Sequence, residues 1–166
     1  MPNDAQNFWD FSVDLYARPG VASACLDLQE LYRLDVNLIL FCFWHGHAYG
    51  RADRELMESV VAFSSQWRAQ IVQPLRNART WMKLNAHPNK QFDSLRERIK
   101  ADELIAEKIQ QEQIDSLTSE FNRHRENRIG ADDLQKNIES LLQEVEMESD
   151  ERFKNRIELI RGALEN

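Results

Sequence analysis

The sequence predicts an all-α protein: a helical bundle around a central apolar helix, with a long charged helix and a C-terminal helical hairpin. Three observations predict this fold class. Apolar residues recur at helical spacings of three and four along most of the chain. The segment from Val36 to about His45 is apolar on nearly every side. Residues 91–121 contain no Gly or Pro and are rich in good helix formers.

Periodicity and turn residues predict the first two helices. The first covers about residues 6–17 and ends at the turn formed by Pro19 and Gly20. The second begins near Val21 and ends near Leu34. Their inward faces are predicted to carry Phe8, Phe11, Ser12 and Leu15 in the first helix, and Val21, Cys25, Leu28 and Tyr32 in the second.

The third helix is predicted from Val36 to about His45. Asp35 can cap its start, and Gly46 and Gly50 supply its exit. An almost uniformly apolar helix is buried on all sides, so we expect it at the centre of the bundle. A buried strand is the competing interpretation of so short a run, but the helical neighbours and the cap favour a helix.

A fourth helix is predicted after Asp53, and residues 85–89 form a loop after a fifth. Pro74 either kinks the fourth helix or opens the fifth at a tolerated first position. Trp81 is expected in the core. The core positions of the fourth helix are predicted to be Leu56, Val60, Phe63, Trp67 and Ile71.

The second half of the chain predicts one long helix and a hairpin. The long helix, residues 91–121, would measure ~45 Å and therefore either spans the body or protrudes from it. Its apolar stripe is predicted to contain Leu95, Ile99, Ala106, Ile109, Leu117 and Phe121. After a polar link at residues 122–130, a hairpin covers about residues 132–165, and Asp150 can cap its second helix.

Composition divides the chain near Asn89. Residues 1–89 hold 8 basic and 9 acidic side chains, whereas residues 90–166 hold 13 basic and 19 acidic ones. All four tryptophans lie in the first part. We therefore predict a core domain at residues 1–89 and a charged, solvent-facing helical extension at residues 90–166, either as separate units or as one continuous domain.

Charge and hydropathy argue against several classes of protein. A net charge of -7 argues against a nucleic-acid binder, which needs clustered Lys and Arg to neutralise phosphate. The longest apolar run, Leu38–Trp44, is far shorter than the ~20 residues of a membrane helix. Both cysteines lie in apolar stretches and are expected to be reduced. No basic stretch followed by an apolar segment opens the chain, so we expect no secretory signal and a cytoplasmic location.

Two blocks carry a resemblance to a known family. The first runs from Phe8 to Trp44 and opens with FWDFSVDLYARPGV, and the second is WRAQIVQPLRNAR at residues 67–79. Together they resemble an uncharacterised bacterial all-helical family of unknown function. The resemblance implies a bacterial cytoplasmic protein, and it brings no assigned activity, ligand or catalytic residue.

Two sets of side chains are candidate metal ligands. Cys42 and His45 lie three residues apart on one helical face, with His47 just beyond Gly46. Asp10 and Asp14 form a carboxylate pair of the kind that binds magnesium, although both point away from the apolar face. Neither set is completed by further ligands, so we interpret them as a helix terminus with polar imidazoles and as a solvated face.

No nucleophile elbow, phosphate-binding loop or dinucleotide fingerprint occurs. We therefore expect no cofactor, no metal and no enzymatic activity. A small-ligand or metal-dependent enzyme of unassigned reaction stays as the alternative.

Two surfaces are candidates for partner binding. If the helix continues through Pro74, a basic stripe forms that either pairs with the acidic C-terminal helices or binds an acidic partner or anion. The hairpin stripe would bind a helix of another protein or of a second copy of this chain. We predict a protein-protein interaction module: an adaptor, accessory subunit or regulator. The two predicted sets are Arg68, Arg76, Arg79 and Lys83, and Leu134, Ile138, Leu141 and Val145.

Overall fold

The computed structural model describes residues 6–123 and 129–165, and the predicted all-α class is confirmed. Residues 1–5, part of the predicted link at 124–128, and residue 166 lie outside the described residues. A π-helical turn at Arg68–Val72 joins α4 to α5. The helices are α1 (Phe8–Tyr16), α2 (Val21–Tyr32), α3 (Val36–Ala48), α4 (Arg54–Trp67), α5 (Gln73–Leu84), α6 (Phe92–Asn122), α7 (Asp133–Glu144) and α8 (Glu151–Glu165). None of the helices in these ranges combines the length and the apolar character needed to cross a membrane.

Local signals set the bounds of α1 and α2. The Asn7 side chain caps α1 by accepting a hydrogen bond from Asp10 N at 2.8 Å. Gly20 adopts a φ of 81° in the turn before α2, a conformation that glycine adopts without strain. Arg33, with a φ of 54°, ends α2. Both predicted helices are therefore confirmed.

The apolar helix α3 lies at the centre of the bundle, as predicted. Asp35 Oδ1 accepts a hydrogen bond from Asn37 N at 2.9 Å and caps its start. The predicted end at Gly46 is wrong, because α3 continues to Ala48. Gly46 instead lies against α7, where an added Cβ would stand 3.0 Å from Leu134 Cα. This position needs glycine because two helices approach closely there, not because the chain turns.

Gly46→Ala is therefore expected to destabilise the protein by about 1–2 kcal/mol, because the new methyl group forces the α7 backbone outward. Gly162→Ala is the matched control, since nothing lies within 4 Å of a Cβ at that position in α8. There the same substitution should stabilise the helix by roughly 0.5–1 kcal/mol. Urea unfolding measures both effects. Equal changes in the two variants would contradict the close packing of α3 and α7.

The structure combines the two alternatives for Pro74. The helix continues through the proline, but the turn before it widens, and Gln73 N donates to Arg68 O instead of to the carbonyl four residues back. Pro74 has no N–H to donate, and its ring would clash with the carbonyl of residue 70 in a regular α-helix. We attribute the π-helical turn to this proline.

The apolar core crosses residue 89. α7 packs against α3 and α4, and α8 packs against α2. The expectation that the second half is solvent-facing is wrong, because these helices complete the central core. The composition of the chain changes at residue 89, but the helices on both sides of that residue pack into the same core. Buried core residues from the second half are Ile114, Ile138, Leu141, Leu142, Phe153, Ile157 and Ile160.

α6 spans the body in contact with α1, α3, α4 and α5. Its predicted apolar stripe is wrong in part, because Leu95, Ile109 and Phe121 are exposed. The buried face of α6 is instead largely polar, and its buried side chains are Glu103, Ala106, Gln110, Gln111, Ile114 and Thr118. A helix with buried carboxylate and amide groups needs partners for them.

Candidate functional site

A cleft of about 880 Å³ lies between α5, α6 and the N-terminal helices. All four residues of the predicted basic stripe line this cleft: Arg68, Arg76, Arg79 and Lys83. The π-helical turn provides the first, and the inward side of α5 provides the other three. The cleft is within the range of 300–1,000 Å³ that is usual for ligand sites. The four basic residues that the sequence pattern places on one stripe thus line the same cleft in the folded chain.

Two residues of the stripe are paired within the chain. Arg76 binds Glu103 with Nε at 2.8 Å and Glu107 with Nη2 at 2.6 Å. Arg79 binds Glu103 with Nε at 2.5 Å. Arg68 instead donates from Nη1 to Arg33 O at 3.1 Å. The acidic side chains that pair with the stripe are therefore those of α6.

The carboxyl groups of the cleft differ in their response to burial. Burial raises the pKa of Asp35, and it also raises the pKa of Glu107 despite the adjacent charge of Arg76. Burial would likewise raise the pKa of Glu103, but hydrogen bonds from Arg79 and Arg76 outweigh it and hold that pKa below its ordinary value. Glu103 is thus the carboxylate that the two arginines keep ionised.

The opposite side of α5 faces solvent and is apolar. Trp81 is 61% exposed and Leu84 is 77% exposed, so the expectation that Trp81 belongs to the core is wrong. Pro74 and Ala78 are exposed on the same side. At 100° per residue these four side chains lie within about 120° of one another. We call Pro74, Ala78, Trp81 and Leu84 the outer face of α5.

The segment around the outer face carries only positive charge. No acidic residue occurs between Glu58 and Asp93. Glu103 and Glu107 pair with Arg76 and Arg79, and the charge of Arg68 acts on the carboxyl group of Asp35. The bases of this segment that form no ion pair among the described residues include Lys83 and Lys90. This region is therefore locally positive in a chain of net charge -7.

The stripe predicted on α7 packs inside the protein. Ile138 and Leu141 are buried in the central core, and Leu134 and Val145 pack against it. α7 packs against α3 and α4. Ile138 and Leu141 are therefore enclosed by the chain itself, while Leu134 and Val145 are partly buried, and binding of a second helix by this stripe stays a prediction.

Cys42, His45 and His47 are not brought together as a metal site. The Cys42 thiol donates to Asn137 O at 3.4 Å, and burial raises its pKa well above the ordinary range. His45 is buried, with Nδ1 2.9 Å from Gly50 O. His47 is exposed and faces the ring of Phe11. The parts of the chain that the structure describes contain no cluster of three potential metal-binding side chains.

Asp10 and Asp14 are exposed and bond to neighbouring polar residues. Asp10 Oδ2 accepts from Asn7 Nδ2 at 2.8 Å, and Asp14 Oδ2 accepts from Gln6 Nε2 at 2.5 Å. Both carboxylates thus lie on the solvent-exposed side of α1, as in the interpretation of this pair as a solvated helix face.

The polar floor of the cleft was missed by sequence reasoning. Its residues lie on the buried face of α6, on the inward side of α1 and at the start of α3. Glutamine, asparagine and serine are read from sequence as surface residues, so no hydropathy pattern reveals them. The signal that could have found them is the interruption of the apolar stripe of α6 at Glu103, Gln110 and Gln111.

A family model describing a protein of unknown function, DUF2390, matches residues 7–114. This range includes every residue that lines the cleft and excludes α7 and α8. No curated protein and no solved structure matches the chain. Because the match covers more than half of the sequence, the chain belongs to the DUF2390 family of proteins of unknown function.

Proposed function

We propose that the protein is a protein-protein interaction module, acting as an adaptor, accessory subunit or regulator in a bacterial cytoplasm, and that it binds an acidic partner through the outer face of α5. One observation carries the proposal. A tryptophan and a leucine are more than half exposed side by side on a helix, in a stretch of sequence at residues 59–92 that contains basic residues but no acidic one.

The chemistry of this surface supports an acidic, amphipathic partner. Tryptophan is among the residues that contribute most to protein interfaces, because its large rigid ring buries much area at little entropic cost. Pro74, Ala78 and Trp81 follow one another at spacings of four and three, so a helix or extended segment could lie along them. Lys90 is exposed beyond the end of α5 and would attract acidic side chains at the edge of the contact.

The test is binding of the wild type and of Trp81→Ser/Leu84→Ser to proteins of the source cell at low and moderate salt. We expect the double variant to bind a captured acidic partner at least about tenfold more weakly, since hot-spot residues contribute 2 kcal/mol or more. The purified partner should bind more weakly as salt rises.

Leu31→Ser is the control, because Leu31 is an exposed apolar residue on a different helix, α2. The control should bind as the wild type does. Full retention of the partner by a folded Trp81→Ser/Leu84→Ser variant would exclude the outer face as the binding surface.

A further inference from the structure

The floor of the cleft is a chain of hydrogen bonds between buried side chains. Gln111 Nε2 donates to Asn37 Oδ1 at 2.8 Å, and Asn37 Nδ2 donates to Gln110 Oε1 at 2.9 Å. Gln110 Nε2 in turn donates to Asp35 Oδ2 at 2.6 Å. Asn37 and Gln110 each accept from one neighbour and donate to another, which fixes the orientation of these two amide groups, whereas Gln111 only donates.

Two polar atoms of residues that line the cleft have no hydrogen-bond partner among the described residues. Gln111 Oε1 and Ser12 Oγ are buried and accept or donate no hydrogen bond within the described residues. Their residues are only 3% and 4% exposed, and both line the cleft. An unpaired buried polar group destabilises the folded protein, so native proteins seldom retain one without a role. A ligand with an N–H group could donate to Gln111 Oε1.

The walls of the cleft carry both signs of charge. Four bases and four acids line it: Arg68, Arg76, Arg79 and Lys83, and Glu30, Asp35, Glu103 and Glu107. The Nη1 groups of both Arg76 and Arg79 make no hydrogen bond in the part of the chain that the structure describes. Balanced walls favour a ligand without net charge that has a positive and a negative end.

The mouth of the cleft is apolar. Val13, Tyr16, Leu26 and Leu104 come from three different helices, and all four are exposed although they line the cleft. Such residues would cover apolar groups of a ligand whose polar ends reach the floor and the walls.

We propose that the cleft binds a short peptide of two or three residues with apolar side chains and free termini. Its ammonium group donates to Gln111 Oε1, its carboxylate accepts from Arg76 and Arg79, and its side chains contact the mouth. The spacing along α6 fits this length. Gln111 lies one helical turn, or about 6 Å, from Glu107, which pairs with Arg76, and two turns, or about 12 Å, from Glu103, which pairs with both arginines. A dipeptide extends about 7 Å and a tripeptide about 10 Å. The site lies on the other side of α5 from the outer face and does not depend on a protein partner.

The test is calorimetric titration of the full chain with Leu-Leu and Leu-Leu-Leu, together with analogues that each lack one feature. We expect a Kd of ~1 mM or lower for the peptides, and at least about tenfold weaker binding for N-acetyl-Leu-Leu, Leu-Leu-amide and Gly-Gly. Free leucine should bind more weakly than the dipeptide, because it cannot span the floor and the arginines.

The variants of Leu104 and Leu95 separate binding from folding, because both side chains are exposed and the core does not require them. Leu104→Glu should weaken binding at least about tenfold, whereas Leu95→Glu, on the same helix but outside the cleft, should not. Absence of binding at about 10 mM peptide, equal binding of the blocked analogues, or equal effects of Leu104→Glu and Leu95→Glu would each overturn the proposal.

Discussion

Replacing Asn137 by alanine is expected to lower the free energy of unfolding by about 3 kcal/mol, because this side chain bonds three buried backbone groups. Asn137 is fully buried on α7. Its Oδ1 accepts from Ala52 N at 2.8 Å, and its Nδ2 donates to Gly50 O at 3.1 Å and to Cys42 O at 3.4 Å. Alanine would leave an amide proton and two carbonyls buried without this partner, in addition to a cavity.

Urea or thermal unfolding measures this effect, and a loss of 3 kcal/mol corresponds to a fall in melting temperature of roughly 6–12 °C for a chain of this size. Asn155→Ala is the matched control, because Asn155 is exposed on α8. The control should change stability by less than about 0.5 kcal/mol. Similar stabilities of the two variants would mean that α7 does not anchor the connection between α3 and α4. Asn137 lies beyond the family match, so the result also shows how far the matched region depends on the C-terminal helices.

Glu103→Ala is expected to destabilise the protein by about 3 kcal/mol, because it removes the shared counter-charge of two arginines. Glu103 is buried on α6 and bonds both Arg76 and Arg79. The value is at the low end for a broken buried pair, since the Arg79 side chain keeps 28% of its exposure and Arg76 keeps its bond to Glu107. Glu97→Ala is the control. Its pairing with Arg96 is exposed and should contribute less than about 0.5 kcal/mol.

The pH dependence gives a second measurement on the same residue. The folded-state pKa of Glu103 lies below the ordinary value, so its ionised form stabilises the protein above an ordinary carboxyl pKa of about 4.3. That contribution is lost as the pH falls through the folded-state pKa. The stability difference between wild type and Glu103→Gln should therefore be largest at neutral pH and shrink below about pH 4. A difference that grows on acidification would contradict the pairing. Burial raises the pKa of Glu107, so its protonated form is the one that the fold favours. Relative to Glu107→Gln, the wild type should therefore lose stability as the pH rises above about 4.3, which is the opposite direction.

The ion pairs also determine how charge reversal at the basic stripe must be interpreted. Arg76→Glu/Arg79→Glu would place two new carboxylates beside Glu103 and Glu107, where like charges repel. Loss of partner binding in that variant would therefore follow from a damaged fold as readily as from a lost contact. Trp81 and Leu84 are better probes of partner binding, because the core does not require them.

Local chemistry made several elements predictable. α3 could be predicted because a cap at Asp35 precedes a segment that is apolar on all sides, and only a central position buries such a helix. The cap of α8 at Asp150 could be predicted for a similar reason, and Phe153 N donates to Asp150 Oδ1 at 2.8 Å. The long helix α6 could be predicted because nothing in residues 91–121 interrupts it.

The sequence did not predict which helix surfaces contact one another in the folded chain. The α7 stripe has the spacing of a helix interface, but spacing does not say whether the facing surface belongs to the same chain, and here it belongs to α3 and α4. Two residues of the basic stripe, Arg76 and Arg79, likewise pair with Glu103 of α6, which lies 27 and 24 positions later in the chain. Trp81 was assigned to the wrong side because an apolar residue on a helix can serve a core or an exposed interface equally well.

The sequence by itself determined the all-α class, the central apolar helix and the positions of the main helices, because caps, turns and apolar periods act over a few residues. Only the tertiary structure decided that the C-terminal helices complete the core, that a polar face of α6 is buried, and that four bases converge on one cleft. These features depend on which distant surfaces meet. Burial of Gln110 and Gln111 is tolerable only because Asn37 and Asp35 stand opposite them, more than seventy positions earlier in the chain.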